Sequence, residues 1–142
     1  MGKYIAIDIG GTNIKYGLID DTDTLLEAHE IPTEAHKGGP EILRKVKGIV
    51  ARYLEQIPVA GVCISSAGMV DPDKGEIFYA GPQIPNYAGT QFKKVGRVSV
   101  AVCWWMVRFF TVLVIQPVKS VMCIYQMVHS KMWLQRRPWS IM

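Results

Sequence analysis

Asp8-Ile9-Gly10-Gly11-Thr12-Asn13-Ile14-Lys15 gathers a carboxylate, two glycines, a hydroxyl, a carboxamide and an ammonium into one short stretch. An apolar run, Tyr4 to Asp8, leads in, and another, Ile14 to Ile19, leads out. Glycines carry no Cβ, so backbone N–H groups at Gly10 and Gly11 can converge on an anion. Thr12 can add a hydroxyl donor, and Asn13 completes the turn. Asp8, at a strand end, can hold Mg²⁺ through water. Lys15 can supply positive charge, although strand alternation leaves its direction open. Asp8, Gly10, Gly11, Thr12, Asn13 and Lys15 are therefore candidates for holding phosphate, with Asp8 also the candidate metal ligand. The competing reading is a plain hairpin whose glycines only make the turn. Placement directly after an apolar strand ending in Asp favours phosphate. The stretch is not a P-loop, since no GxxxxGK[ST] occurs. Nor is it a dinucleotide fingerprint, since a strand rather than a helix follows.

The elements that must position this turn are legible around it. Tyr4–Asp8 and Ile14–Ile19 read as paired strands, and Leu25–Ile31 as a third strand of the same meander. Gly39-Pro40-Glu41 opens a helix: a permissive cap, proline in the first turn, and an acid at the positive dipole end. Ile42, Val46, Ile49, Val50, Tyr53 and Leu54 then recur at helical spacing. Val59–Ser65 reads as a buried strand ending in the small residues Ser65-Ser66-Ala67-Gly68. Asp71–Gly75 is a turn, Glu76–Tyr79 a short strand, and 81–89 a loop that Pro82 and Pro85 keep irregular. Meander, helix, then strand is an α/β pattern.

Composition divides the 142 residues unevenly. All 12 acidic residues lie at or before Glu76, so the formal charge of +4 is not evenly spread. All four Trp and five of the seven Met fall after Val95, and no glycine follows Gly96. The first two thirds read as an enzyme domain of the cytoplasm, with no secretory leader and three separated cysteines that make neither a zinc spacing nor a disulfide framework. The last third has a different composition. Its apolar stretch from Val98 to Val118 approaches the length of a membrane span, but Arg108 would sit in the middle and Pro117 near the end, so no membrane association is expected.

"DIGGTNIKYG" resembles the first phosphate motif of sugar kinases with an actin-like ATPase fold, specifically the ROK family (repressors, open reading frames and kinases). "VAGVCISSAGMVDPDKGEIFYAGPQIPNYAGTQF" is similar to the family stretch in which a strand ends in a small-residue loop and an Asn follows on a sugar-contacting loop. The resemblance covers residues 4 to about 95. It implies an α/β fold, the N-terminal lobe of the actin-like ATPase (ribonuclease H-like) architecture, incomplete here. It implies ATP and Mg²⁺ as cofactors and a hexose or amino sugar as substrate. By it, Asp8, Gly10, Gly11 and Thr12 approach the ATP phosphates, while Ser66, Ala67, Gly68 and Asn86 line the sugar pocket. Small residues leave room for a ring, and Asn offers a donor and an acceptor to hydroxyls. For Asn86 the alternative is a loop residue capping its own turn. The family's regulators carry a DNA-binding helix-turn-helix ahead of the hairpin; with the hairpin opening at Tyr4, no nucleic-acid partner is expected. A non-catalytic protein that binds sugar or nucleotide, and a membrane-associated fragment through 98–118, are the remaining alternatives.

What the family has and this sequence lacks is equally specific. Phosphoryl transfer to a hydroxyl benefits from a carboxylate that accepts its proton. In the family that is an Asp in a Glu-Asn-Asp motif, and no Asn-Asp pair occurs in this sequence. The second phosphate motif, the His/Cys zinc site and the C-terminal lobe, with the family's homodimer interface, are also missing. No catalytic residue is assigned.

Residues 96–142 suggest why. Trp and Met have one codon each, so Cys103-Trp104-Trp105-Met106-Val107 nearly fixes its own DNA. In the frame built from each third base plus the next two bases, it must encode L-V-D-G. Gly96 to Val102 can encode T-G-I-G-G-C-L in that frame. Joined, these resemble the family's second phosphate loop and its following strand. A continuation, K-V-F-H-G-F-S-N-S-A-C-E-V-G-Y, is allowed through Met122. The expectation is an N-terminal lobe over 1–95 and an out-of-frame, non-homologous tail over 96–142, disordered or poorly packed, after a deletion that removed the catalytic Asp.

Overall fold

The computed structural model describes residues 2–22, 24–71, 74–93, 95 and 100–104. Strands β1 (Lys3–Ile9), β2 (Asn13–Asp20) and β3 (Leu25–Pro32) form the expected meander. β1 and β2 pair antiparallel from Lys3↔Asp20 to Ile9↔Ile14, so the turn between them is short and its residues sit at one end of the sheet. β3 continues antiparallel to β2. Helix α1 (Gly39–Gln56) crosses back over the sheet and delivers β4 (Gly61–Ser66) parallel to β1. With a further strand, β7 (Val100–Trp104), the strand order is β3-β2-β1-β4-β7.

Alternation decides which face of the sheet is covered. Ile5, Ile7 and Ile9 of β1 lie opposite Leu18, Tyr16 and Ile14 of β2. On the other side, Ile5 and Ile7 lie beside Val62 and Ile64 of β4. These side chains share one buried cluster with Ile42, Val46, Ile49, Val50 and Tyr53 of α1, the helical stripe read from the sequence. Asp8, in register with Lys15 and Ser65, falls on the opposite face. The helix begins where glycine and proline predict, with Glu41 in its first turn. Arg44 reaches back one turn to the Glu41 carboxylate.

Four features differ from the sequence expectation. β4 runs Gly61–Ser66 rather than 59–65, because Ala60 is already used in a connection, its N–H donating to the Lys3 carbonyl at 2.8 Å. A short 3-10 turn, Ala35–Lys37, precedes α1. Met69–Asp71 forms a strand, β5, paired antiparallel with β6 (Glu76–Tyr79); three residues carry too little periodicity to be read in advance. Finally, Val100–Trp104 forms β7, parallel to β4 from Val62↔Val100 to Ser66↔Trp104. Five residues of the segment expected to be unpacked thus add a strand to the sheet. The outer edge of β4 offers a row of backbone donors and acceptors, and a valine-rich segment suits that position. The remainder of 96–142, with most of the apolar stretch 98–118, lies outside the described residues. Among the described residues, no helix is long and apolar enough to cross a membrane.

Residues 80–93 after β6 form no helix or ladder strand but are firmly held. Ile84, Tyr87, Phe92 and Val95 are buried in the main core. Ile77 N–H donates to the Thr90 carbonyl at 2.9 Å, and Phe92 N–H to that of Gly75 at 2.8 Å. Pro85 accepts from the N–H of Gly39 at 3.1 Å, which ties this loop to the start of α1. A Cβ on Gly39 would lie 2.4 Å from the Asn86 carbonyl oxygen, so only glycine permits the approach.

Candidate functional site

Three elements end together at one edge of the sheet: β1 after Asp8, the β1–β2 turn, and β4 at Ser66. Between them lies a cleft of about 380 Å³ lined by Asp8, Ile9, Gly10, Gly11, Thr12, Asn13, Lys15, Ser66, Ala67 and Gln83. All six residues predicted to hold phosphate are here. Pairing settles the direction of Lys15, which lies directly across from Asp8 on the same face, so both reach the cleft. The hairpin closes through Gly10 N–H donating to the Asn13 carbonyl at 3.0 Å. Neither Gly10 nor Gly11 has a positive φ. Their value is room instead: a Cβ on Gly10 would lie 3.0 Å from the Asn13 carbonyl oxygen, and one on Gly11 would project toward Gln83.

The four predicted sugar residues divide. Ser66 and Ala67 border the cleft. Ser66 Oγ, however, is hydrogen-bonded to the Tyr87 hydroxyl, and it also accepts weakly from Gly68 N–H at 3.4 Å. Burial pushes the Tyr87 hydroxyl well above the usual phenol range, against the smaller opposing effect of its bond to Ser66. Tyr87 therefore stays a neutral partner at any physiological pH. Gly68 stands outside the cleft, packed on β6: a Cβ there would lie 2.8 Å from Ile77 Cγ2. Asn86 is exposed, has φ 52, and lies in the loop beside Gly38 and Gly39 rather than in the cleft wall.

Two residues that sequence reasoning did not assign belong to the site. Gln83 enters the cleft from the loop after β6. Its only sequence signal is a polar residue between two prolines. Thr33, fully buried just past β3, donates its N–H to the Thr12 carbonyl at 2.9 Å and its Oγ1 proton to the Gly10 carbonyl at 2.8 Å. Nothing local in the sequence announces that contact.

Among the described residues, Asp8 is the only carboxylate lining the cleft. The described residues hold no cluster of three metal-ligating side chains. A single carboxylate suits Mg²⁺, which keeps its waters and takes further oxygens from phosphates, and does not suit a cation held by protein alone. The cleft has the size and the glycine-lined wall to admit the phosphate end of a nucleotide.

Residues 4–97 match the ROK family. A Clostridium perfringens protein of uncharacterized function is 52% identical over 95 residues, covering 67% of this chain and 32% of that protein. A glucokinase of Streptomyces coelicolor is 34% identical over 85 residues, covering 56% of this chain and 25% of that enzyme. Among solved structures, a ROK glucokinase of Streptomyces griseus in complex with glucose and AMPPNP superposes with a TM-score of 0.60 at 27% identity, over 72% of this chain and 33% of that one. The chain thus spans a quarter to a third of the length of the curated relatives it matches.

Proposed function

The chain belongs to the ROK family, and from that premise we propose that its residues 1–95 are the phosphate-binding lobe of an ATP-dependent kinase acting on a hexose or amino sugar. The observation that carries this reading is the convergence of Asp8, Gly10, Gly11, Thr12, Asn13 and Lys15 on one cleft. In the complete enzyme, the hairpin and Lys15 would face the nucleotide phosphates. Asp8 would hold Mg²⁺ through water, and the metal would neutralise charge on the transferred phosphoryl group. Ser66 and Ala67 would form the near wall of the sugar site, with Gly68 and Asn86, which stand outside the cleft, behind it. Ser66 and Gly68 would act through their backbone and small size, since the Ser66 hydroxyl is engaged by Tyr87. The working compartment would be the cytoplasm.

By the same reading, this chain alone does not phosphorylate sugar. No carboxylate side chain follows Glu76 to take the proton of the sugar hydroxyl. Residues 96–142 would be the product of an offset frame, as the forced letters L-V-D-G under Cys103 to Val107 suggest.

The test compares three purified proteins by coupled ADP release over a hexose and amino-sugar panel: this chain, a version with the missing segment and frame restored, and the restored version carrying Asp8→Ala. The restored enzyme should turn over, this chain should not, and Asp8→Ala should lower kcat on the order of 100-fold or more. Sugar-dependent turnover by this chain would place the base elsewhere. A restored Asp8→Ala enzyme with unchanged kcat at saturating Mg²⁺ and ATP would reduce the hairpin to a structural turn.

A further inference from the structure

We infer that Thr33 is the positioning residue of the phosphate hairpin, and that Lys45 holds Thr33 in place for that task. The inference rests on the reading of the cleft as an anion site, and it concerns what aims the donors there. Thr33 is fully buried, and it grips the β1–β2 turn at two carbonyls, Gly10 through its hydroxyl and Thr12 through its N–H. In a trans peptide the carbonyl and the following N–H point in opposite directions. A brace on the Gly10 and Thr12 carbonyls therefore turns the Gly11 and Asn13 amides the other way, and Gly11 and Asn13 both line the cleft. A glycine turn left alone would sample several orientations.

Thr33 is itself clamped from the helix. Lys45 Nζ donates to the Pro32 carbonyl at 2.7 Å, to the Thr33 carbonyl at 3.3 Å and to Glu34 Oε2 at 2.5 Å. An ammonium has three protons, so this one is fully used. Its side chain is only 10% exposed, which shields the contacts from water. Glu34 sits at φ 52 in the left-handed region, a conformation that side chains other than glycine's adopt at some cost. The Lys45 and Lys37 ammonium groups both hold its carboxylate in that arrangement. The chain of contacts runs from Lys45 on α1, through the β3–α1 connection, to the turn that faces the cleft.

The test uses the full chain, ¹⁵N-labelled, with amide hydrogen exchange at Gly10 and Thr33, whose N–H bonds report closure of the turn and of the brace. Thr33→Val keeps the shape and loses the hydroxyl; Thr33→Ser keeps the hydroxyl and loses a methyl. If Thr33 positions the turn, Val should speed exchange at both amides about five- to tenfold while exchange in the middle of β1 holds, and Ser should restore it. Lys45→Met should act in the same direction as Val. If Thr33 only fills space, Ser should be the damaging change and Val harmless, which would overturn the inference. Titration with inorganic pyrophosphate separates the two readings. Saturable shifts at Gly11 that weaken in Thr33→Val support both. An ordered turn that ignores pyrophosphate would overturn the phosphate reading and leave the brace standing.

Discussion

At the scale of single residues, Asp8 and Lys15 meet the cleft from the two sides of one hairpin, directly across from each other. Asp8 to Lys15 is one segment, and a strand pairing across a tight turn must bring its two ends side by side. Ser66 is different. Its hydroxyl is the kind of group that would be assigned to a sugar, yet it is bonded to Tyr87, 21 positions away. Register explains this: Ser66 lies beside Ile9, on the core face, whereas Ser65 lies beside Asp8. Removing the phenol oxygen should expose the dependence. Tyr87→Phe leaves Ser66 Oγ buried without its partner, at a cost of about 1–3 kcal/mol. Urea midpoints of the single variants and of Ser66→Ala/Tyr87→Phe measure this, and the double variant should recover part of the loss because no orphaned hydroxyl remains. Fully additive losses would mean that the two hydroxyls do not depend on each other.

Among the elements, β1, β2, β3 and α1 were readable because their apolar residues repeat with clear periods. The connection from β3 to α1 was not, because it is held by charges and carbonyls that follow no period. Glu34 is its centre. The Lys37 and Lys45 ammonium groups, bonded to its carboxylate, hold it down at about 2, against an ordinary value of 4.5. A carboxyl whose pKa is depressed by folding contributes stability above its unfolded pKa, and loses it as the pH falls through the folded value. The contribution from Glu34 should therefore be complete above pH 4.5 and drain away between pH 4.5 and about 2. Glu41, lowered by its bond to Arg44, adds a background in the same direction. The informative quantity is the difference in urea midpoint between the parent and Glu34→Gln. It should be constant near neutrality and shrink through that acid window. A difference that does not change between pH 5 and pH 2 would mean that the ion pairs in this connection contribute nothing to folding.

For the molecule as a whole, the described residues form a five-stranded sheet in the order β3-β2-β1-β4-β7, while the chain spans only a quarter to a third of the length of its curated relatives. The fifth strand, β7, comes from the segment whose composition differs. Backbone pairing along β4 is blind to which side chains the added strand carries, so that edge accepts any segment whose β propensity suffices. Catalysis is not blind in this way, because a second phosphate loop needs glycines, and no glycine follows Gly96. The composition of 96–142 was visible in the sequence; its capacity to form a strand was not, since pairing depends on an edge that exists only after β1 and β4 have assembled. The decisive measurement lies in the nucleic acid. Determining the DNA of this gene should show, beneath Gly96 to Val107, a frame offset from the one translated that encodes T-G-I-G-G-C-L-L-V-D-G. The last four letters are already fixed by Cys103 to Val107, so the DNA adds nothing to them. The first seven depend on synonymous choices at Gly96 to Val102, and it is these that chance would scatter. An offset frame that is open and glycine-rich there, and that continues into acidic and glycine codons beneath the following residues, would mark 96–142 as a misread remainder of the kinase. Stop codons scattered through that frame, or codons beneath Gly96 to Val102 that yield no glycine loop, would mean that β7 belongs to a tail selected in its own right.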